Sequence, residues 1–334
     1  MSGPPEFSVV IPVYNAIRYL PSSLEAVRAA IRHYGDGRVA GAGAGAGAVE
    51  LIVVDNGSTD GSWELLRERY GSAATLMREP SATVGRLRNL GAGRSRGRWL
   101  SFVDADCVIP GDYFHRAAAV LAAGGADATG SRYALPTDPP PRWIERTWHE
   151  LHWRPGDGYV PYVPAGNFIV SRAAFEAVGG FREALATGED AELCQRLGAA
   201  GYRIYEAQSV VAEHLGNPKT LRAFFRQQVW HGLGQFGTVR RAALDKPVAM
   251  TALHGLLTLA GCAGLALGPG PAGARVLAAA VLTAASPAAT VLFRARRRGL
   301  PAHPLQALLL YHLYYDARLW AALRTALGRT TYRR

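Results

Sequence analysis

The chain has 334 residues, with 37 Lys and Arg against 26 Asp and Glu, a formal net charge of +11 and 49% hydrophobic residues. Its three cysteines, Cys107, Cys194 and Cys262, are scattered and form no CxxC pair, which argues against a disulfide-built scaffold or a zinc knot and for a reducing compartment. So basic a chain invites nucleic acid, but its arginines gather near apolar carboxy-terminal segments and no aromatic-basic motif accompanies them, so an anionic membrane surface or anionic substrate is the expected partner.

Residues 7–14 (FSVVIPVY) read as a buried first strand. Asn15 and a helix to about residue 30 follow, striped by Tyr19, Leu20, Leu24, Val27 and Ile31. Residues 1–8 carry no charged-then-apolar signal, so this part is expected to remain in the cytoplasm. The Gly-Ala alternation at 40–48 offers little to pack and is expected to be a mobile surface insertion. Residues 49–54 (VELIVV) form the second strand, near-continuously apolar as strands covered on both faces tend to be. A turn, Asp55 to Ser62, leads into a helix over 63–70, then a short strand at 74–77, a basic helix at 85–95 and a strand at 99–103. This alternation predicts an open α/β sheet with ligands at the carboxyl ends of its strands. From 111 to 235 the pattern is mixed. A proline-rich loop spans 136–141, a strand near 166–172 enters a helix at 173–178, Gly188-Glu189-Asp190 opens a helix at 191–200, and 203–205 is a further strand.

Beyond Lys246 the texture changes. Residues 247–267 and 273–293 are two apolar stretches of roughly bilayer-spanning length, joined by Gly268-Pro-Gly-Pro-Ala272. Arg240, Arg241 and Lys246 precede the first, and Arg294, Arg296, Arg297 and Arg298 follow the second, so a hairpin with both ends on the cytoplasmic side satisfies the positive-inside rule. Residues 305–327 interleave Tyr311, Tyr314, Tyr315 and Trp320 with Asp316, Arg318 and Arg324, a pattern suited to an interfacial helix. The expected division is a domain over 1–235 and a membrane-associated helical region over 236–334.

Several polar groups stand at strand ends. Asp55 directly follows the second strand beside a turn rich in backbone N–H groups, which can meet a base, a ribose or simply the next helix. Arg86, Arg88 and Asn89, bracketed by Gly85 and Gly91, are placed to face a diphosphate. Asp104 and Asp106, just past 99–103, are spaced to grip a hard divalent cation that in turn grips a diphosphate.

The series Ser8-Val-Val-Ile-Pro-Val-Tyr-Asn15, Val54-Asp-Asn-Gly-Ser-Thr-Asp-Gly-Ser62, Gly85-x-x-Arg-Asn-x-Gly91 and Phe102-Val-Asp-Ala-Asp-Cys107 resembles the family 2 glycosyltransferases of GT-A fold. Gly166-Asn167-Phe168, Gly179-Gly180-Phe181 and Gly188-Glu189-Asp190 follow in the same order, and the resemblance covers about residues 7–235. It implies an α/β domain of GT-A fold that binds a nucleotide sugar, to which the pattern beyond residue 246 adds the apolar helical hairpin and the interfacial helix. It also implies that Pro12, Tyr14, Asn15 and Ser58 line the nucleotide pocket with Asp55 at the base. Asp104 and Asp106 would be the Asp-x-Asp pair acting with Mn²⁺ or Mg²⁺, His214 a further metal ligand, and Asp190 the catalytic base. Glu189, Trp230 and His231 are expected near the acceptor or in a lid. Asn56 stands where many members carry a second acid, and the Gln-x-x-Arg-Trp signature of processive synthases is missing.

The implied activity is transfer of a sugar from a nucleotide-diphosphate sugar to an acceptor hydroxyl at the cytoplasmic membrane face, with inversion, in cell-surface polysaccharide or glycolipid synthesis. A hydrolase would need two carboxylates flanking the scissile bond. The alternatives are a polyprenyl-phosphate glycosyl synthase, whose ionised acceptor needs less of a base, and a non-catalytic nucleotide-sugar-binding partner in a membrane assembly. A sugar nucleotidyltransferase would want a Gly-rich basic loop after the first strand, where Pro12-Val-Tyr-Asn15 stands.

Overall fold

The computed structural model describes residues 4–36, 48–153, 156–237 and 246–328. Residues 40–47 of the Gly-Ala alternation, and with them Arg240 and Arg241, lie outside the described residues. In chain order the first half comprises β1 (Phe7–Val13), α1 (Leu20–Gly35), β2 (Val49–Asp55), α2 (Ser62–Tyr70), β3 (Thr75–Arg78), α3 (Val84–Arg94), β4 (Trp99–Val103), β5 (Cys107–Val108), α4 (Tyr113–Ala122) and β6 (Ala128–Gly130). Then come α5 (Trp143–His152), β7 (Gly158–Tyr159), β8 (Asn167–Ser171), α6 (Arg172–Ala177), α7 (Glu189–Ala199), β9 (Ile204–Glu206) and β10 (Glu213–His214). Four helices follow: α8 (Leu221–Gly237), α9 (Lys246–Leu267), α10 (Ala272–Arg298) and α11 (Pro304–Ala326).

The chain forms two compact units, one of residues 1–139 and 154–217, the other of 140–153 and 218–334. The change of unit thus falls at 217 rather than the expected 235, and α5 belongs with the carboxy-terminal helices. The physical reason is apolar: Ile144 of α5 shares a buried cluster with Phe224 of α8 and Leu310 of α11.

The first unit is built on an eight-stranded sheet in the order β3-β2-β1-β4-β8-β6-β9-β7. β1, β2, β3 and β4 run parallel as expected, but β8 lies antiparallel to both β4 and β6. That reversal places the amino end of β8, where Val103 pairs with Asn167, at the carboxyl end of β4. The residues leading into β8 therefore stand at the same sheet edge as the acids after β4. A small second sheet pairs β5 with β10, setting His214 opposite Cys107.

Val9, Ile11 and Leu24 are in the buried cluster on one face of the sheet, while Val10, Phe102, Phe168 and Leu197 are in the cluster on the other, the alternation that a two-sided sheet demands. On that second face α3 approaches β1 so closely that a Cβ at Gly91 would stand 2.3 Å from Val10 Cγ1. Gly91→Ala should therefore cost roughly 1–3 kcal/mol by overpacking. An unchanged urea midpoint would contradict this packing.

In the second unit α9 and α10 are long and apolar enough to cross a membrane, with mean hydropathies of 1.6 and 2.0, and only 17% of either apolar window is buried. Pro287 is accommodated inside α10. Between these helices and α11 sits a polar knot. Buried His254 lies with Nδ1 2.7 Å from Ser286 Oγ and Nε2 3.1 Å from Asp316 Oδ1. α11 itself buries Ala307, Leu310, Tyr311 and Tyr315.

Candidate active site

The site grows from the loops at the carboxyl edge of the sheet. After β1 the backbone turns at Asn15, which takes a left-handed conformation (φ 47) that Asn tolerates better than most residues. Its N–H donates to Ser58 Oγ at 3.0 Å and its Oδ1 accepts from Thr59 N–H at 2.9 Å. Ile17 N–H donates to Asp60 Oδ2 and Ala16 N–H to Ser62 Oγ, each at 3.0 Å. The loops after β1 and β2 are thus sewn together. Pro12 is buried beneath them and Tyr14 is exposed.

Asp55 is fully buried. Its carboxylate accepts the N–H groups of Gly57 (2.8 Å) and Ser58 (2.9 Å) and lies 3.7 Å from Arg78 Nε. Its task in this structure is to hold the turn. Asn56 also has a defined role: Oδ1 accepts from Ala82 N–H at 2.8 Å and Nδ2 donates to Ala82 O at 3.0 Å. An ionised acid has no donor for the second bond, which accounts for an amide at this position.

The three polar groups of α3, expected together at a diphosphate, are given separate tasks. Arg86 is exposed and paired with Glu79 at 2.8 Å and Glu183 at 3.1 Å. Asn89 clasps the loop after α6, donating to Phe181 O at 2.8 Å and accepting from Phe181 N–H at 2.9 Å. Arg88 is buried. Its Nη2 donates to Asp104 Oδ1 at 2.7 Å and its Nη1 to Glu189 Oε1 at 2.6 Å. Burial opposes its charge, but Asp104 and Glu189 outweigh that cost and leave its pKa raised. Two residues apart on a helix is a rotation of about 200°, so a common direction for Arg86 and Arg88 was excluded by periodicity alone.

Asp104 follows β4 and donates its N–H to Gly166 O at 3.3 Å. Gly166 is required by space: a Cβ there would lie 2.3 Å from both Asp104 Oδ2 and Tyr133 Oη. Asp106 Oδ2 lies 3.5 Å from His214 Nε2. His214 Nδ1 is 3.1 Å from Asn217 Oδ1, while Asn217 Nδ2 donates to His214 O at 2.8 Å. The second bond fixes the amide's orientation, so Nδ1 donates to Asn217 Oδ1 and Nε2 is the nitrogen that faces Asp106. Tyr133 lies against the imidazole at 4.6 Å between ring centroids.

These groups fit a hard divalent cation. An octahedral ion with bonds of about 2.1 Å sets neighbouring ligand atoms roughly 3 Å apart, close to the Asp106–His214 spacing. Cys107 completes a cluster whose potential ligand atoms lie within 4.8 Å of one another. Burial, followed by Asp106 and Asp104, pushes its thiol well above the usual range. A hard cation prefers oxygen and imidazole to a thiol, so the set that would suit Mn²⁺ or Mg²⁺ is carboxylate and imidazole.

Asp190 lies in the first turn of α7, where the helix dipole favours a carboxylate. Its Oδ2 accepts from Tyr162 Oη at 2.9 Å and from Ala165 N–H at 3.4 Å, and its Oδ1 from Ala191 N–H at 2.8 Å. Burial and then Asp190 push the Tyr162 hydroxyl well up, so it remains a donor. Asp104, Glu189 and Asp190 all act on Arg88 and so form one neighbourhood. Trp230 and His231 lie on α8, in the other unit, with ring centroids 4.9 Å apart. Tyr162, Tyr133, Asn217 and the inward role of Arg88 escaped the sequence.

A family model described as glycosyl transferase family 2 matches residues 8–179, and one described as glycosyl transferase family group 2 matches 99–323. The chain is 27% identical to glycosyltransferase AglE of Haloferax volcanii, over 68% of this chain and 74% of that protein. It is 28% identical to succinoglycan biosynthesis protein ExoA of Rhizobium meliloti, over 75% of this chain and 74% of that protein. Among solved structures it resembles the mannosyltransferase PcManGT from Pyrobaculum calidifontis, solved with GDP-Man and Mn²⁺. That match has a TM-score of 0.64 at 18% identity, covering 98% of this chain and 88% of that one, and is a likeness of fold.

Proposed function

Because the chain belongs to glycosyl transferase family 2, we propose that it moves a sugar, with inversion, from a nucleotide-diphosphate sugar to an acceptor hydroxyl at the cytoplasmic face of a membrane. That it is a nucleotide-sugar-dependent glycosyltransferase of GT-A fold follows from the family and the relatives. Inversion, the acceptor and the location are our reading. The observation that carries it is the meeting of two kinds of carboxylate at one sheet edge: Asp104, beside Asp106 and His214, and Asp190, joined to it through Arg88 and Glu189.

In this reading Asn15, Ser58 and Tyr14 receive the nucleotide on the stitched loops, over a turn held by Asp55. Asp104, Asp106 and His214 would hold Mn²⁺ or Mg²⁺, which when bound supplies positive charge against the departing nucleoside diphosphate. Asp190 accepts the proton of the acceptor hydroxyl as its oxygen forms a bond to the anomeric carbon and the bond from that carbon to the diphosphate breaks. A single carboxylate base implies one displacement, hence inversion. Tyr162 and Ala165 N–H aim the carboxylate.

The location rests on α9 and α10. A soluble core helix of this hydropathy would be mostly covered, whereas Leu256, Leu259, Leu277 and Val281 are exposed. Lys246 and the arginines from 294 to 298 support a reading in which both ends are cytoplasmic, which suits a lipid-linked or glycan acceptor in cell-surface polysaccharide or glycolipid synthesis. The full chain should remain in the membrane fraction after an alkaline carbonate wash. Leu259→Asp with Val281→Asp, each costing about 2.5–3.5 kcal/mol in a bilayer, should release it. Release of the unaltered chain would refute the spanning hairpin.

Transfer of a labelled sugar into lipid extract, after a donor screen by thermal shift in Mn²⁺, tests the activity. Failure with every nucleotide sugar would favour a binding partner over an enzyme.

A further inference from the structure

The geometry points to Arg88 as a positioning residue that couples the donor side of the site to the base side: one guanidinium spans Asp104, after β4, and Glu189, at the start of α7, so that donor loading is transmitted to the helix turn bearing Asp190. This rests on the proposed roles of Asp104 and Asp190.

The guanidinium is fixed on three sides. Nη2 meets Asp104 at 2.7 Å, Nη1 meets Glu189 at 2.6 Å, and the plane lies over the Phe181 ring at 5.4 Å. The Arg88 side chain is 4% exposed and that of Glu189 is 7% exposed, whereas Asp104 is more open at 28%. The pair on the base side is therefore dry and the arm on the donor side reaches solvent. A planar fork can hold two carboxylates at a set separation, which a lysine ammonium cannot reproduce. Phe181 is itself clasped by Asn89, one residue on along α3, so the strap is anchored in the helix that carries it.

Asp104 has two suitors. In this structure its Oδ1 serves Arg88; a cation–diphosphate arriving at Asp104 and Asp106 would draw on the same carboxylate. Any loosening of the Arg88–Asp104 arm leaves Glu189 as the dominant partner of the guanidinium, and Glu189 is the covalent neighbour of Asp190. Glu189 thereby acts as the strap's anchor on α7. Its short distance to Arg88 and its burial leave it poorly placed to meet an acceptor, the role the sequence suggested.

The test compares Glu189→Gln, Arg88→Lys and the unaltered full chain. It uses calorimetry of nucleotide-sugar binding in Mn²⁺, single-turnover transfer, and hydrogen exchange at the amides of the first turn of α7. Gln keeps an acceptor for Nη1 but not the charge, so the fold should survive. Coupling predicts that Glu189→Gln lowers the transfer rate at least tenfold while donor Kd stays within about threefold. Arg88→Lys should impair both. Donor with Mn²⁺ should slow exchange in α7 of the unaltered chain and not in Arg88→Lys. A merely structural strap would lower Tm in both variants without splitting Kd from rate. Donor-induced protection of α7 that persists in Arg88→Lys, or Glu189→Gln transferring at the normal rate, would overturn the proposal. Asp190→Asn serves as the separate control: full transfer there would refute the base itself, whereas a dead Asp190→Asn beside an unaffected Glu189→Gln would refute only the coupling.

Discussion

Asp190→Asn should lower the rate of sugar transfer by about 10²–10⁴-fold, the range expected for loss of a positioned general base, while donor affinity in Mn²⁺ changes less than threefold. The substitution is close to isosteric. With its carbonyl oxygen at the place of Oδ1, Asn still accepts from Ala191 N–H, and its Nδ2 at the place of Oδ2 can donate to Tyr162 Oη once that hydroxyl turns, so the first turn of α7 should stay in place. What disappears is the capacity to take a proton. The measurement is single-turnover transfer set beside calorimetric donor binding. A variant within tenfold of the normal rate on a hydroxyl acceptor would remove Asp190 from the mechanism. Activity retained only with a lipid phosphate would instead identify an acceptor that arrives already ionised, and would move the enzyme to the polyprenyl-phosphate reading.

Asp106→Ala should abolish the part of donor affinity that depends on Mn²⁺. The loss expected is at least 100-fold in Kd, leaving a weak, metal-independent remainder supplied by the stitched loops. In the proposed site Asp106 acts beside His214, whose Nε2 lies 3.5 Å from its Oδ2. His214→Ala should weaken binding less, because Asp104 and Asp106 remain. Asn217→Ala, which removes the partner of Nδ1, should have a smaller effect still, of the order of tenfold as for other outer partners of metal ligands. Titration with and without Mn²⁺ separates the three. Equal donor affinity of Asp106→Ala and the unaltered chain in Mn²⁺ would show that the cation is held elsewhere or is not used.

The residues that sequence located well are those whose position follows from strand ends. β1, β2 and β4 are short apolar runs stopped by polar residues, and parallel strands deliver their carboxyl ends to one edge, so Asn15, Asp55 and Asp104 fell into place together. His214 was singled out through resemblance, and β10 brings it beside Asp106 by pairing with β5. The rest depends on contacts between distant segments. The antiparallel β8 brings Tyr162 and Gly166 to the edge, and no local pattern encodes that reversal. Asp55, expected at the base, is turned inward because the tight turn after it presents N–H groups that need a buried acceptor. The α3 trio was grouped by proximity along the chain, whereas helical geometry sends Arg88 inward while Arg86 remains at the surface. α5 escaped because its ten residues look like part of a loop until α8 and α11 are present to cover Ile144 and Leu151.

That last helix has a practical meaning for anyone hoping to obtain the sugar-transferring half alone. The polypeptide passes from one compact unit to the other at 139/140, returns at 153/154 and leaves again at 217/218. A single cut after 217 strips away α8 to α11 yet retains α5, whose Ile144 and Leu151 then lose Phe224, Val291, Leu310 and Tyr311. Such a truncated protein is expected to aggregate for reasons unrelated to its nucleotide-binding chemistry. A soluble version has to replace 140–153 with a polar bridge as well.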